Sequence, residues 1–125
     1  MDYSRNESRE LGMLGMIRQL VEIAGRVEQR LDTVERTIHA LLNRTARLQN
    51  FQRLSGNPAA ILLPLRNPQT GSSIPNCPTT INQIRNLPAD RATEILHILQ
   101  VPVPSSLRDK IKEVLYYFTG REYHL

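Results

Sequence analysis

The chain has no tryptophan and only six aromatic residues in 125, which argues against a large globular core. It has one cysteine, Cys77, so it can form neither an intrachain disulfide nor a multi-cysteine zinc site. A reducing intracellular compartment, cytoplasm or nucleus, fits that usage. Cys77 stands between Asn76 and Pro78 with no evident base nearby, a poor setting for a nucleophile. Long apolar runs are also missing. The stretch from Leu11 to Gly25 is broken by Arg18 and Glu22 and falls short of the roughly 20 residues a bilayer requires, so no membrane span is expected. Asp2, Glu7 and Glu10 precede it, the opposite charge order to a secretory leader.

Constellations that carry chemistry are equally scarce. His39, His97 and His124 are far apart, and none has a Cys, Asp or Glu at metal-ligand spacing. His39 lies outside the apolar seam described below, His97 reads as the flank of a packed helix face, and His124 belongs to the C-terminal tail. Gly12, Gly15 and Gly25 have no strand before them and no Gly-Lys pair, so they do not form a phosphate loop. No cofactor, metal or enzymatic activity is expected.

What the chain does have is a heptad. Proline is absent before Pro58, and with Ile17 at position a, the a positions are Ile17, Ala24, Leu31, Ile38 and Thr45. The d positions are Met13, Leu20, Val27, Val34, Leu41 and Leu48, so ten of the eleven seam positions are apolar with no slip in register. A period of 3.5 residues held over five heptads is the pattern of a left-handed coiled coil. Residues 11–54 are therefore expected to be an oligomerisation helix, with the early glycines delaying its start to about Met13. Thirty-six residues from Met13 to Leu48 would span about 54 Å. In a parallel pair Arg30 at g faces Glu35 at e of the second helix. Glu22 and Arg26 form a favourable i,i+4 pair, and Glu28 and Asp32 a mildly repulsive one. Leu14, Met16, Val21, Ile23, Leu42 and Phe51 make several e and g positions apolar as well. Two explanations are open: more than two strands, or a cover supplied by the chain itself, for which Ala59 to Leu65 is the natural candidate. The alternative to a coil is one amphipathic helix packed inside a monomer, although a helix this long would overhang so small a C-terminal module.

Residues 55–78 hold Pro58, Pro64, Pro68, Pro75 and Pro78 and read as a linker of ordered turns, with Asn67-Pro68-Gln69-Thr70-Gly71 carrying turn chemistry. Residues 79–120 return to helical patterning and predict three short helices. Thr80 and Gln83 form a capping-box pattern for a helix through about Leu87, and Pro88 suits the first turn of the next. Ala92, Ile95, Leu96 and Leu99 make one apolar face. Val101-Pro102-Val103-Pro104 should run extended. Ser106 and Asp109 open the last helix, Leu107, Ile111, Val114, Leu115 and Phe118 line its inner face, and Gly120 ends it. Tyr116 and Tyr117 with Phe118 either pack on the preceding helices or leave an aromatic contact spot exposed. The fold class expected is all-α: a coiled-coil helix, a Pro-rich linker and a small three-helix module.

The stretch from Leu87 to Phe118 resembles the SAP motif family through Ile95, Leu96 and Leu99 on the first helix, Val101-Pro102 in the joint, and Leu107 and Ile111 on the second. The resemblance covers about a quarter of the chain and implies two helices joined by an extended segment, found mostly in DNA-binding nuclear proteins. Pro104, Ser105 and Ser106 stand where that family usually has glycine and lysine.

Net charge is +4, and no acidic residue occurs from Arg36 to Ala89. Arg36, Arg44, Arg47, Arg53, Arg85, Arg91, Arg108, Lys110 and Lys112 are the candidate contacts to nucleic acid or another acidic partner. The same charges also suit a helix C-terminus and keep an apolar surface soluble. The function expected is a non-enzymatic, homo-oligomeric interaction or scaffold protein that associates with itself and with other proteins, with SAP-like DNA or chromatin binding as the alternative.

Overall fold

A computed structural model of the chain describes the backbone of residues 3–123 and the side chains of residues 6–123. His124 lies outside the described residues. The described chain is all-α, with four helices: α1 (Tyr3–Gly56), α2 (Ile81–Arg85), α3 (Ala89–Ile98) and α4 (Leu107–Thr119). It divides into two units, one ending at Glu35 and one starting at Arg36.

In the first unit the helix starts earlier than the glycines predict. It is already formed at Tyr3 and runs through Gly12, Gly15 and Gly25. Each glycine costs about 1 kcal/mol relative to alanine, but Arg9, Glu10, Leu11, Met13, Leu14 and Met16 are all good helix formers and carry the helix across. Glu22 and Arg26 lie one turn apart at 4.0 Å, both well exposed, and contribute at most a few tenths of a kcal/mol.

The second unit holds the core. It comprises Leu54 of α1, Leu62, Leu65 and Ile74 of the linker, and ten-residue α3 and thirteen-residue α4 packed together through Ala92, Ile95, Leu96, Val114, Leu115 and Phe118. Ile84 anchors α2, which packs against α4. The Ala92, Ile95, Leu96 and Leu99 face is buried as its spacing demands. Burying one such Leu or Ile stabilises the fold by roughly 1.5–3 kcal/mol. Leu107 departs from the expected inner face. It stands at the open N-terminal end of α4 and is 45% exposed.

The helix ends explain where the chain turns. Thr80 accepts the Gln83 N–H at 3.1 Å, but the Gln83 side chain reaches back to the Thr79 N–H at 2.8 Å, one residue before the cap. α2 stops at Arg85, short of Leu87. Pro88 is the N-cap of α3 rather than its first helical residue, with ψ 155°. α3 closes with Val101 N–H donating to the Leu96 carbonyl at 3.2 Å and Gln100 N–H to the His97 carbonyl at 3.0 Å. That pair of bonds is a Schellman closure, built on Gln100 at φ +60° instead of glycine. Residues 101–104 are extended. Ser106 accepts the Asp109 N–H at 3.1 Å to start α4, and Gly120 at φ +70° ends it.

The linker is ordered, and its path is set by two asparagines of α1. Asn43 Nδ2 donates to the Arg66 carbonyl (2.7 Å) and its Oδ1 accepts the Arg66 N–H (2.8 Å). Asn50 Nδ2 donates to the Leu63 carbonyl (3.0 Å) and its Oδ1 accepts the Leu63 N–H (2.6 Å). Seven residues of helix advance about 10.5 Å, and three residues of extended chain about 10 Å. The two carboxamides therefore meet the backbone at matching intervals, as rungs of an antiparallel ladder. Beyond Arg66 the chain reverses in a turn in which Asn67 Oδ1 accepts the Gln69 N–H at 2.9 Å and Gly71 N–H donates to the Asn67 carbonyl at 2.8 Å. Gly71 sits at φ +73°, closely against the His39 ring, which would overlap a Cβ placed there.

Candidate interaction surface

The helix α1 has two faces with opposite fates. In the second unit, His39, Asn43, Ala46, Arg47, Asn50 and Leu54 are buried or half-buried. In the heptad these are positions b, f, b, c, f and c, the side opposite a and d. The seam residues Ile38, Leu41 and Leu48 are 48%, 53% and 59% exposed. The chain's own linker and the C-terminal end of α4 thus lie at the back of the helix, Arg121 reaches round to the Phe51 ring at g and the Ser55 hydroxyl at d, and Ile38, Leu41 and Leu48 stay open. The Ala59 to Leu65 segment does not supply the candidate cover, although Arg121 stands 4.5 Å from the Phe51 ring centroid. Leu62 and Leu65 sink into the core behind the helix, while Ile61, Leu42 and Phe51 stay 67%, 45% and 43% exposed. The geometry of the two asparagine clamps explains this, because they tie the linker to the f positions.

In the first unit the same stripe is bare. Met13, Ile17, Leu20, Val27, Leu31 and Val34 are 49 to 63% exposed, and Ala24 is exposed with them. Glu10, Met13, Leu14 and Ile17 enclose a shallow hollow. Their spacing is i, i+3, i+4 and i+7, that of the four-residue hole of knobs-into-holes packing. Ile23, Arg26, Val27 and Arg30 enclose a second hollow of the same spacing, displaced to the g side of the seam. Packing a seam of this kind is what stabilises a lone helix in water, since propensity alone leaves it marginal.

The basic residues differ in their surroundings. Arg36 and Arg44 are exposed on α1. Arg47 stacks on Tyr116, with its guanidinium carbon 4.1 Å from the ring centroid. Arg53 donates to the Ile61 carbonyl at 3.0 Å. Arg91 pairs with Glu94 at 3.0 Å, with its side chain only 19% exposed. Arg85 lies 5.7 Å from the Tyr123 centroid. Arg85 and Arg108 are brought together beside Leu107 and Ile111 around an open hollow between α2 and α4. Lys110 and Lys112 are half-buried, the latter in a mixed-charge cleft with Glu113 and Glu122.

The aromatic cluster divides. Phe118 is fully buried, while Tyr116 and Tyr117 meet edge to face at 5.5 Å. His97 is exposed in the last turn of α3, and His39 is half-buried. The described residues contain no group of three His, Cys, Asp or Glu able to hold a metal ion, and no helix long and apolar enough to cross a membrane. Burial raises the Cys77 thiol pKa above its ordinary value, opposed by a hydrogen bond from the Leu65 backbone and by the charge of Arg91.

Asn43 and Asn50 were not singled out from the sequence. Their signal was present in the neighbouring Ala46 and Leu54, apolar residues at b and c positions that a bare coil exterior would not need. No family model matches the chain, and neither a curated protein nor a solved structure does.

Proposed function

We propose that this chain is a non-enzymatic scaffold that associates with copies of itself through the a and d face of α1 and displays its C-terminal helical module on the assembly. One observation carries the reading: the chain sets its own linker and the end of α4 on the b, c and f side of α1, while Ile38, Leu41 and Leu48 on the seam stay about half exposed. An apolar stripe in unbroken heptad register, left open by a chain that has a core to offer, is complementary to another copy of the same stripe. The stacking of Arg47, the carbonyl contact of Arg53 and the ion pair of Arg91 engage those cations inside the chain, which favours self-association over a nucleic-acid role.

Sedimentation equilibrium of the full chain at micromolar concentration tests the proposal. The expected result is a mass that is a multiple of the 14.3 kDa chain and falls on dilution. A single species of 14.3 kDa across the concentration range overturns it.

A further inference from the structure

We infer that the coil formed by α1 has more than two strands and that the strands run parallel; this rests on the self-association reading above. The first argument is the surface beside the seam. In a two-stranded coil the a and d residues are buried and the e and g residues border solvent. Leu14 and Val21 at e and Met16 and Ile23 at g are 57%, 66%, 64% and 52% exposed. The segment that might have covered them belongs to the core behind the helix, which leaves further copies of α1 as their cover.

The second argument is the pair of hollows. The hole of Glu10, Met13, Leu14 and Ile17 lies on the seam and receives a knob from one facing helix. The hole of Ile23, Arg26, Val27 and Arg30 lies one row over, on the g side. One facing helix fills the first row, and a neighbour on the flank would fill the second; a further hollow of Arg26, Gln29, Arg30, Thr33 and Val34 continues from there toward the outer face. The stems of Arg26 and Arg30 supply apolar walls there while their charges stay in water. The seam residues divide: Val27 and Val34 at d, with Leu31 at a, depart from the β-branched a and leucine d arrangement that favours two strands, while Ile17 with Leu20 and Ile38 with Leu41 keep it.

Orientation follows from charge. From Leu14 to Phe51 the charged e positions are Glu28 and Glu35 and the charged g positions are Arg30 and Arg44. Parallel strands set g of one helix against e of the next, five residues on, so Arg30 meets Glu35 of its neighbour. Antiparallel strands set g against g and e against e. No antiparallel register then offers an opposite-charge pair, and several place Arg against Arg or Glu against Glu.

Sedimentation equilibrium on the full chain and on the variant Leu14→Glu, Met16→Lys, Val21→Glu, Ile23→Lys decides the strand number. The expected masses are three or four chains for the natural sequence and two for the variant, because a wider coil buries the e and g positions and would take its four new charges out of water. A natural-sequence mass of two chains overturns the strand number, and so does a variant that keeps three or four. A mass of one chain for the natural sequence removes the self-association reading itself. Orientation is read by resonance energy transfer in a Cys77→Ser, Ser8→Cys background with donor-labelled and acceptor-labelled chains mixed. Efficient transfer is expected from parallel strands, and transfer no higher than that of unmixed controls overturns the orientation.

Discussion

The side-chain amide of Asn50 donates to the carbonyl oxygen of Phe118, 68 residues away in the chain, at 2.9 Å in a fully buried setting. With its two bonds to Leu63, Asn50 closes α1, the linker and the end of α4 around one carboxamide. Replacing it with alanine leaves the Leu63 N–H and carbonyl and the Phe118 carbonyl without their partner, at a cost of about 2–4 kcal/mol. Asn50→Asp should be at least as damaging at neutral pH, since a carboxylate keeps the Leu63 N–H but cannot donate to either carbonyl. Asn43→Ala, at an exposed rung, should cost about 0.5–1.5 kcal/mol. Urea denaturation of the three variants checks the ordering, and an Asn50→Ala loss no larger than that of Asn43→Ala contradicts the central role of Asn50.

Gly71 and Gly25 should respond to alanine with opposite signs. Gly71 is left-handed at φ +73° and its added methyl would overlap the His39 ring. The backbone penalty alone is roughly 1–2 kcal/mol, so Gly71→Ala should lower the denaturation midpoint. Gly25 lies inside α1 with nothing within 4 Å of a new Cβ. Gly25→Ala should therefore stabilise the chain by about 0.5–1 kcal/mol through helix propensity. The two are to be compared at one protein concentration.

How much of this was legible beforehand depended on whether a feature was periodic or singular. The seam from Met13 to Leu48, the Thr80 and Ser106 caps and the Ala92 to Leu99 face all arise from local spacing, which the backbone geometry converts directly into position. The helix start was misjudged because Gly12 and Gly15 were weighed alone, without the helix formers around them. The back of α1 was not legible because its partners lie far along the chain: Asn50 finds Phe118, and Arg47 finds Tyr116, through contacts that no sequence window contains. For the same reason the Ala59 to Leu65 segment, offered as a candidate cover for the seam flanks, instead buries Leu62 and Leu65 behind the helix and leaves Ile61 exposed.

Arg47 should tolerate lysine poorly. Its guanidinium carbon stands over the Tyr116 ring, 4.1 Å from the centroid, with Tyr117 at 5.8 Å. A lysine keeps the charge but loses the planar stacking surface, so Arg47→Lys should recover only part of the loss of Arg47→Ala, about 0.5–1 kcal/mol at a partly exposed site. Thermal denaturation, with and without Tyr116→Leu, measures the coupling, and strictly additive losses would count against the stack.

Cys77 makes stability depend on alkaline pH with a defined sign. Burial first, against the Leu65 backbone bond and the Arg91 charge, raises the folded thiol above its ordinary pKa. The folded state therefore holds this proton more tightly than the unfolded state. Its contribution is fully present below the ordinary thiol range and is lost as pH rises through the folded value. Denaturation midpoints should fall across that alkaline window, and less so in Cys77→Ser. Alkylation by iodoacetamide near neutral pH should be slower in the native chain than in urea, where the thiol is exposed and titrates normally.

The separation of the two faces of α1 yields the sharpest mutational contrast. Ile38 and Leu41 stand on the seam, 48% and 53% exposed, whereas Asn50 and Leu54 on the opposite side are buried in the core. A charge at the seam meets water in the single chain but would meet an apolar interior in the proposed assembly, where an unpaired ammonium is strongly disfavoured. Ile38→Lys with Leu41→Lys should therefore lower the mass toward that of one chain while leaving the linker and C-terminal helices folded. Slow alkylation of Cys77 and the near-ultraviolet signal of the Tyr116–Tyr117 pair report the second property independently of the first. Loss of both signals together with the mass would mean that the seam also supports the core, contrary to the division of faces; loss of mass alone is the outcome this geometry requires.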